Sequence, residues 1–185
     1  SNIKGFQNSL TKGASEFKVL ARDNDGLPLA IEGKQKNADS NRGMSVEAKA
    51  SAYLQSISSL LNKIDVSNDF VVANINVDDN GEQHIRMNQY WNGIQVYGSE
   101  IILHTDGNDI HFMNGRYAKT PSSSLPLNPV VVNNQSSLIC KNDLGATNKE
   151  SFTIGNNTIQ TDKSSLVYYK DEADQFHLCY HHTIY

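Results

Sequence analysis

Six histidines and two cysteines are the residues of this 185-residue chain best suited to chemistry, and they fall in two groups. His84, His104 and His111 occupy the middle of the chain, while His177, His181 and His182 crowd its end around Cys179. In the run His177-Leu178-Cys179-Tyr180-His181, strand alternation sets two imidazoles and a thiol on one face, and those are zinc ligands by type. Their spacing works against a shared ion: at about 3.3 Å per residue the outer histidines stand roughly 13 Å apart. Neighbours two apart could chelate, but no fourth ligand is evident, so no metal ligand is assigned and sheet-face histidines are the simpler reading. Cys140 and Cys179 permit one bridge, from a short helix to the last strand, and two buried thiols are the other reading.

Other chemistry has no foothold. No His-Glu-x-x-His helix, Gly-x-Ser-x-Gly elbow, Gly-x-Gly-x-x-Gly loop or Walker loop occurs, so neither catalytic nor cofactor-binding residues are assigned. A net charge of −4 with scattered Lys and Arg offers no basic stripe for nucleic acid. No apolar run reaches the roughly 18–20 residues that span a bilayer, so no membrane partner is expected. Hydrophobic residues at 38% and charged residues at 19% suit a folded chain that buries a core.

The elements that would carry these residues follow from pattern. Asp23-Asn24-Asp25-Gly26 is a turn leading into a strand from Leu27 to Lys34, and residues 35–44 read as a polar loop. Val46, Ala50, Tyr53, Leu54, Ile57, Leu60, Leu61 and Ile64 recur at helical spacing behind a Ser45 cap, which predicts a helix over residues 45–64 with one buried stripe. Phe70 to Val77 alternates, with Val71, Ala73, Ile75 and Val77 expected on one face, and Asp78-Asp79-Asn80-Gly81 turns it into His84 to Trp91. Asn92-Gly93 opens the next strand, Ile94 to Tyr97. Gly98-Ser99 leads into Glu100 to Thr105, and Asp106-Gly107-Asn108 into Ile110 to Tyr117. Tyr90, Trp91, Tyr97, Phe112 and Tyr117 read mainly as core and cross-strand packing. Three of the four prolines then cluster in a Pro/Ser-rich linker over residues 119–130. Beyond it a short helix over 133–144 and strands at 152–154, 157–161, 166–170 and 176–185 repeat the helix-then-strands order. The expected fold class is α+β, two helix-on-antiparallel-sheet units.

The stretch Tyr90-Trp91-Asn92-Gly93-Ile94-Gln95-Val96-Tyr97-Gly98-Ser99-Glu100, followed by a hairpin and Asn114-Gly115-Arg116-Tyr117, resembles the fungalysin/thermolysin propeptide (FTP) domain. The motif positions are Asn92, Gly93, Ile94, Val96, Gly98, Glu100, Asn114 and Gly115, and their family role is structural. Leu166 to Lys170 and Phe176 to Tyr180 are similar, more loosely, to the PepSY-type, cystatin-like half that follows in thermolysin-like proenzymes. The resemblance divides the chain into an FTP-like domain over 1–118, the linker over 119–130 and a PepSY-like domain over 131–185.

What the resemblance implies is the propeptide of a secreted thermolysin-like zinc metalloprotease: a non-catalytic chaperone and autoinhibitor, removed on maturation. Its partner would be the cognate zinc metalloprotease catalytic domain, with zinc expected only there and no cofactor in this chain. Export, secreted or periplasmic in transit with the signal peptide removed, goes with that role. Inhibition would fall to the C-terminal segment His181, His182, Thr183, Ile184 and Tyr185, lying in the protease cleft. The alternative is a free-standing secreted protein-interaction module with no protease attached. A His-Glu-x-x-His encoded past Tyr185 separates the two.

Overall fold

The structure, a computed structural model, describes residues 17–35, 43–61, 66–119, 121, 124–145, 151–160 and 162–184. Asp23 begins the first reversal: its carboxylate accepts from the amides of Asp25 (3.0 Å) and Leu27 (2.8 Å), closing β1 (Lys18–Arg22) onto β2 (Pro28–Glu32). Helix α1 (Val46–Ser56) starts as its sequence requires, the Ser45 hydroxyl accepting the Ala48 amide at 3.3 Å and Glu47 sitting at the positive end of the helix dipole. It buries Ala50, Tyr53 and Leu54, and the turns that continue it bury Ile57 and Leu61. The helix is thus shorter than the stripe implies, and Ile64 lies outside the described residues. A single turn, α2 (Val66–Asp69), delivers the chain to the sheet.

Four antiparallel strands follow: β3 (Phe70–Val77), β4 (Gln83–Trp91), β5 (Ile94–Thr105) and β6 (Ile110–Arg116). β4 alternates cleanly, with Ile85, Met87, Gln89 and Trp91 buried. Ile85 and Met87 join Ile31, Ile101, Leu103 and Met113 on the face that meets α1, and this is the main core. β3 breaks its own alternation. Its register slips between Val72 and Asn74, so Phe70 and Val72 before the slip and Ile75 after it meet the core while Val71 and Ala73 are exposed, unlike the face expected from the sequence; Val77 shares the face of Ile75 and is exposed at the strand end. An extra residue in a strand inverts the faces on either side of it. β5 runs through Gly98 as one strand instead of two.

The rest comprises α3 (Asn133–Asp143), β7 (Ser151–Ile154), β8 (Asn157–Gln160), β9 (Asp162–Lys170) and β10 (Phe176–Ile184). β9 runs parallel to β5, pairing Val167 with Gln95 and Tyr168 with Val96 on the edge opposite β4, beyond the reach of β6. β10 folds back antiparallel on β9, and β7 pairs only with β8 among the described residues. The sheet order is β1-β2-β6-β5-β4-β3, with β9 and β10 added through β5.

The expected pair of helix-on-antiparallel-sheet units is therefore incorrect. Among the described residues the fold is mostly β, with eight strands in one mixed sheet and two short helices beyond the single turn of α2. The second helix is the physical reason: α3 fully buries none of its residues and turns Leu138 and Ile139 to solvent, meeting β9 and β10 through polar side chains such as Asn133 and Ser136, so it encloses no second core. The C-terminal hairpin rests instead on the sheet already formed. Trp91, Val96, Ala118 and Tyr168 make a small second core there with Ile94, Leu125, Phe176 and Leu178.

Candidate functional site

The motif residues do three structural jobs. Asn92 (φ 50°) and Gly93 (φ 77°) both take positive φ, the conformation of the two-residue hairpin turn that matches strand twist, and they set Trp91 opposite Ile94. Trp91, Ile94 and Val96 then carry the second core, with the Trp91 ring 4.8 Å from Phe176 and 6.1 Å from Tyr168. Further along, Gly115 lets two strands touch. A Cβ there would stand 2.3 Å from the Glu100 carbonyl oxygen and 2.6 Å from the Ile101 Cα, so only hydrogen fits. Glu100 itself pairs with Arg86 on the open face of the sheet, where the Asn114 Oδ1 meets His104 Nε2 at 2.6 Å. Gly98 lies exposed within β5 and meets nothing within 4 Å, so close approach belongs to Gly115.

Of the motif aromatics, Trp91 and Tyr117 are buried, and burial lifts the Tyr117 phenol above its ordinary range, keeping it protonated. Tyr90 and Phe112 are half-buried, whereas Tyr97 is exposed, its ring 6.4 Å from Tyr169 and 4.9 Å from His181. Sequence reasoning missed Gln89. It is fully buried, donates from Nε2 to the Ala118 carbonyl and accepts the Ala118 amide at Oε1, both at 2.8 Å. That pair pins the chain where it leaves β6 and the second core begins. A polar residue at an inward position of an alternating strand was the available signal.

The C-terminal segment is not a loose tail. His181, His182, Thr183 and Ile184 complete β10 opposite Ser165, Ser164, Lys163 and Asp162, and Tyr185 lies outside the described residues. The His182 Nε2 lies 2.9 Å from the Ser136 hydroxyl of α3. The other edge of β10 is unpaired among the described residues. His177 pairs with Asp171, Nε2 to Oδ2 at 2.7 Å, while His181 packs on Tyr97, so the face of β10 that alternation assembles does not converge on one ion. Cys140 on α3 and Cys179 on β10 are both half-buried free thiols, without the bridge that was one reading of them.

Around α3 the surface is apolar: Leu127, Val130, Val132, Leu138, Ile139 and Leu144 are each about half exposed or more. Val130 is fully open. Among the described residues no helix is long and apolar enough to cross a membrane. The chain has no significant match among curated proteins. Residues 68–117, which run from α2 through β3, β4, β5 and β6 to Tyr117, match the family described as Fungalysin/Thermolysin Propeptide Motif, and this part of the chain carries that motif.

Proposed function

We propose that this chain is the pro-segment of a secreted thermolysin-like zinc metalloprotease, helping its catalytic domain to fold and holding it inactive until cleavage. The observation that carries the reading is the propeptide motif on β3 to β6, the strands that build the main core. A pro-segment needs no catalytic residues of its own. A segment that binds the native enzyme stabilises it by mass action, and covalent linkage does so at high effective concentration.

Two surfaces support a protein partner. The open edge of β10 can accept a strand, so His181, His182, Thr183 and Ile184 would act as a pairing edge. Leu138 and Ile139 on α3, with Val130 and Val132 just before it, are exposed apolar side chains of the kind that protein contacts use. On this reading residues 131–185 are the PepSY-like half and 119–130 the joint to the first domain. Leu125 and Pro126 fasten that joint, Leu125 in the second core and Pro126 through its carbonyl, which accepts the Tyr168 hydroxyl at 2.9 Å.

The test adds purified chain in trans to the thermolysin-like protease encoded with it. At micromolar concentration the chain slows cleavage of a peptide substrate, and a substrate-competitive pattern places it in the cleft. An unchanged rate at every concentration removes the inhibitor role.

A further inference from the structure

The turn between β3 and β4 leaves an electron-rich corner beside it. Asp78 Oδ1 accepts the amides of Asn80 and Glu82, both at 2.9 Å. Its other oxygen, Oδ2, lies 3.5 Å from His84 Nε2. Glu82 joins them: one oxygen from each carboxylate and a ring nitrogen of His84 all lie within 4.8 Å of one another. Glu82 Oε1 is also 3.0 Å from His111 Nε2.

Counting hydrogens shows what this corner lacks. His104 Nε2 faces the Asn114 side-chain oxygen, an acceptor, at 2.6 Å and so carries a hydrogen. A neutral imidazole has only one, which makes His104 Nδ1 an acceptor. The His84 Nδ1, 2.9 Å from it, must then donate. A neutral His84 then carries its hydrogen on Nδ1 and keeps an Nε2 lone pair 3.5 Å from the Asp78 carboxylate. With a Glu82 oxygen inside the same 4.8 Å, three atoms of cation-ligand type stand together at this corner.

We propose that Asp78, Glu82 and His84 bind one first-row divalent cation of the zinc class, with His104 and His111 as the positioning residues that hold His84 and Glu82. Metal-bound histidines commonly donate their other ring N–H to a fixed acceptor, the role His104 plays here. Ligand bonds of about 2.0–2.2 Å set tetrahedral ligand atoms about 3.3 Å apart, so these side chains, each about one-third exposed, close by roughly an ångström and leave a fourth position for water. An imidazole nitrogen in the set favours zinc-like ions over calcium or magnesium. The inference needs no protease partner and stands apart from the pro-segment reading.

The β9–β10 hairpin supplies an internal control. Asp171 Oδ1 accepts the amides of Ala173 and Gln175 at 2.9 Å, and Oδ2 meets His177. Gln175 stands where the first hairpin has Glu82, and no three-ligand group forms there among the described residues.

Zinc chloride titrated into the whole chain by calorimetry, with histidine ring nitrogens followed by NMR, tests the site. One equivalent binds, shifting His84 Nε2 while His177 stays in place. Asp78→Asn keeps the turn acceptor but removes the charge, and it weakens binding at least tenfold, as does Glu82→Gln. His104→Phe weakens it by about tenfold or more, and His177→Phe leaves it unchanged. Should a variant fail to fold, the wild-type His84 resonance decides. Zinc that leaves His84 unmoved, shifts all the histidines alike, or binds Asp78→Asn as tightly as wild type overturns the proposal.

Discussion

The β3–β4 and β9–β10 hairpins close on the same turn and serve different ends. In each, an Asp carboxylate accepts two turn amides and faces a histidine six residues later, and the residue three after the Asp has positive φ: Gly81 at 83°, Asp174 at 60°. The Asp23 turn repeats the amide bonds with Gly26 but has Leu29 in the histidine position. Around the first hairpin, β5 and β6 add His104, His111 and Asn114, and the main core lies beneath. The second meets Asp25 through Lys170 and α3 through His182, and is held through a small core centred on Trp91. Turn chemistry is local, whereas what a turn residue can do depends on which neighbours the sheet register brings to it.

Truncating Trp91 breaks the comparison most. Trp91→Ala should cost about 4 kcal/mol. Hydrogen exchange should show amides of β9 and β10 losing protection before those of β4 and β5. Equal loss in both hairpins would mean that the second core is not what holds β9 and β10. Next comes the seam. Gln89→Leu leaves the buried Ala118 amide and carbonyl without partners, a cost of about 2–3 kcal/mol in chemical denaturation; a change under about 0.5 kcal/mol would mean that other groups satisfy them.

Acid separates the two turns more gently. Both aspartates are held below the ordinary 3.8, so each contributes stability above that value and loses it as pH falls through the lowered one. The main cause differs: the Glu82 amide for Asp78, the His177 hydrogen bond for Asp171. In carboxyl NMR titrations His177→Phe should therefore raise Asp171 more than His84→Phe raises Asp78, and equal shifts would contradict the assignment. The smallest effect sharpens the comparison by transplant. Gln175→Glu gives the second hairpin the Asp, Glu and His of the first without the supporting His104 and His111. It should bind zinc at least tenfold more weakly than the native corner, as calorimetry can show; parity would leave the supporting histidines without a role.

Much of this was legible in local pattern. Turn residues marked most strand ends, Ser45 and the apolar stripe marked α1, and strict alternation marked β4. The reading failed where long-range pairing decides. A one-residue slip at Ala73 put Val71 and Ile75, expected on one face, on opposite faces, and no spacing rule foresees a bulge. Leu138 and Ile139 promised a packed helix, but α3 meets β9 and β10 through Asn133 and Ser136 and leaves both apolar residues exposed. The corner at Asp78, Glu82 and His84 had its spacing in plain view. Its second half, His84 beside His104, exists only through a β4–β5 register that pairs residues twenty apart.

The pro-segment role is tested most directly by refolding. The catalytic domain encoded with this chain is diluted from denaturant with and without an equimolar amount of the separate 185-residue chain, and recovered peptidase activity is measured after the chain is removed. The account predicts a several-fold higher yield with the chain present, and a smaller gain with Trp91→Ala in its place. Equal yields with and without the chain, at concentrations where both are folded and soluble, would contradict it.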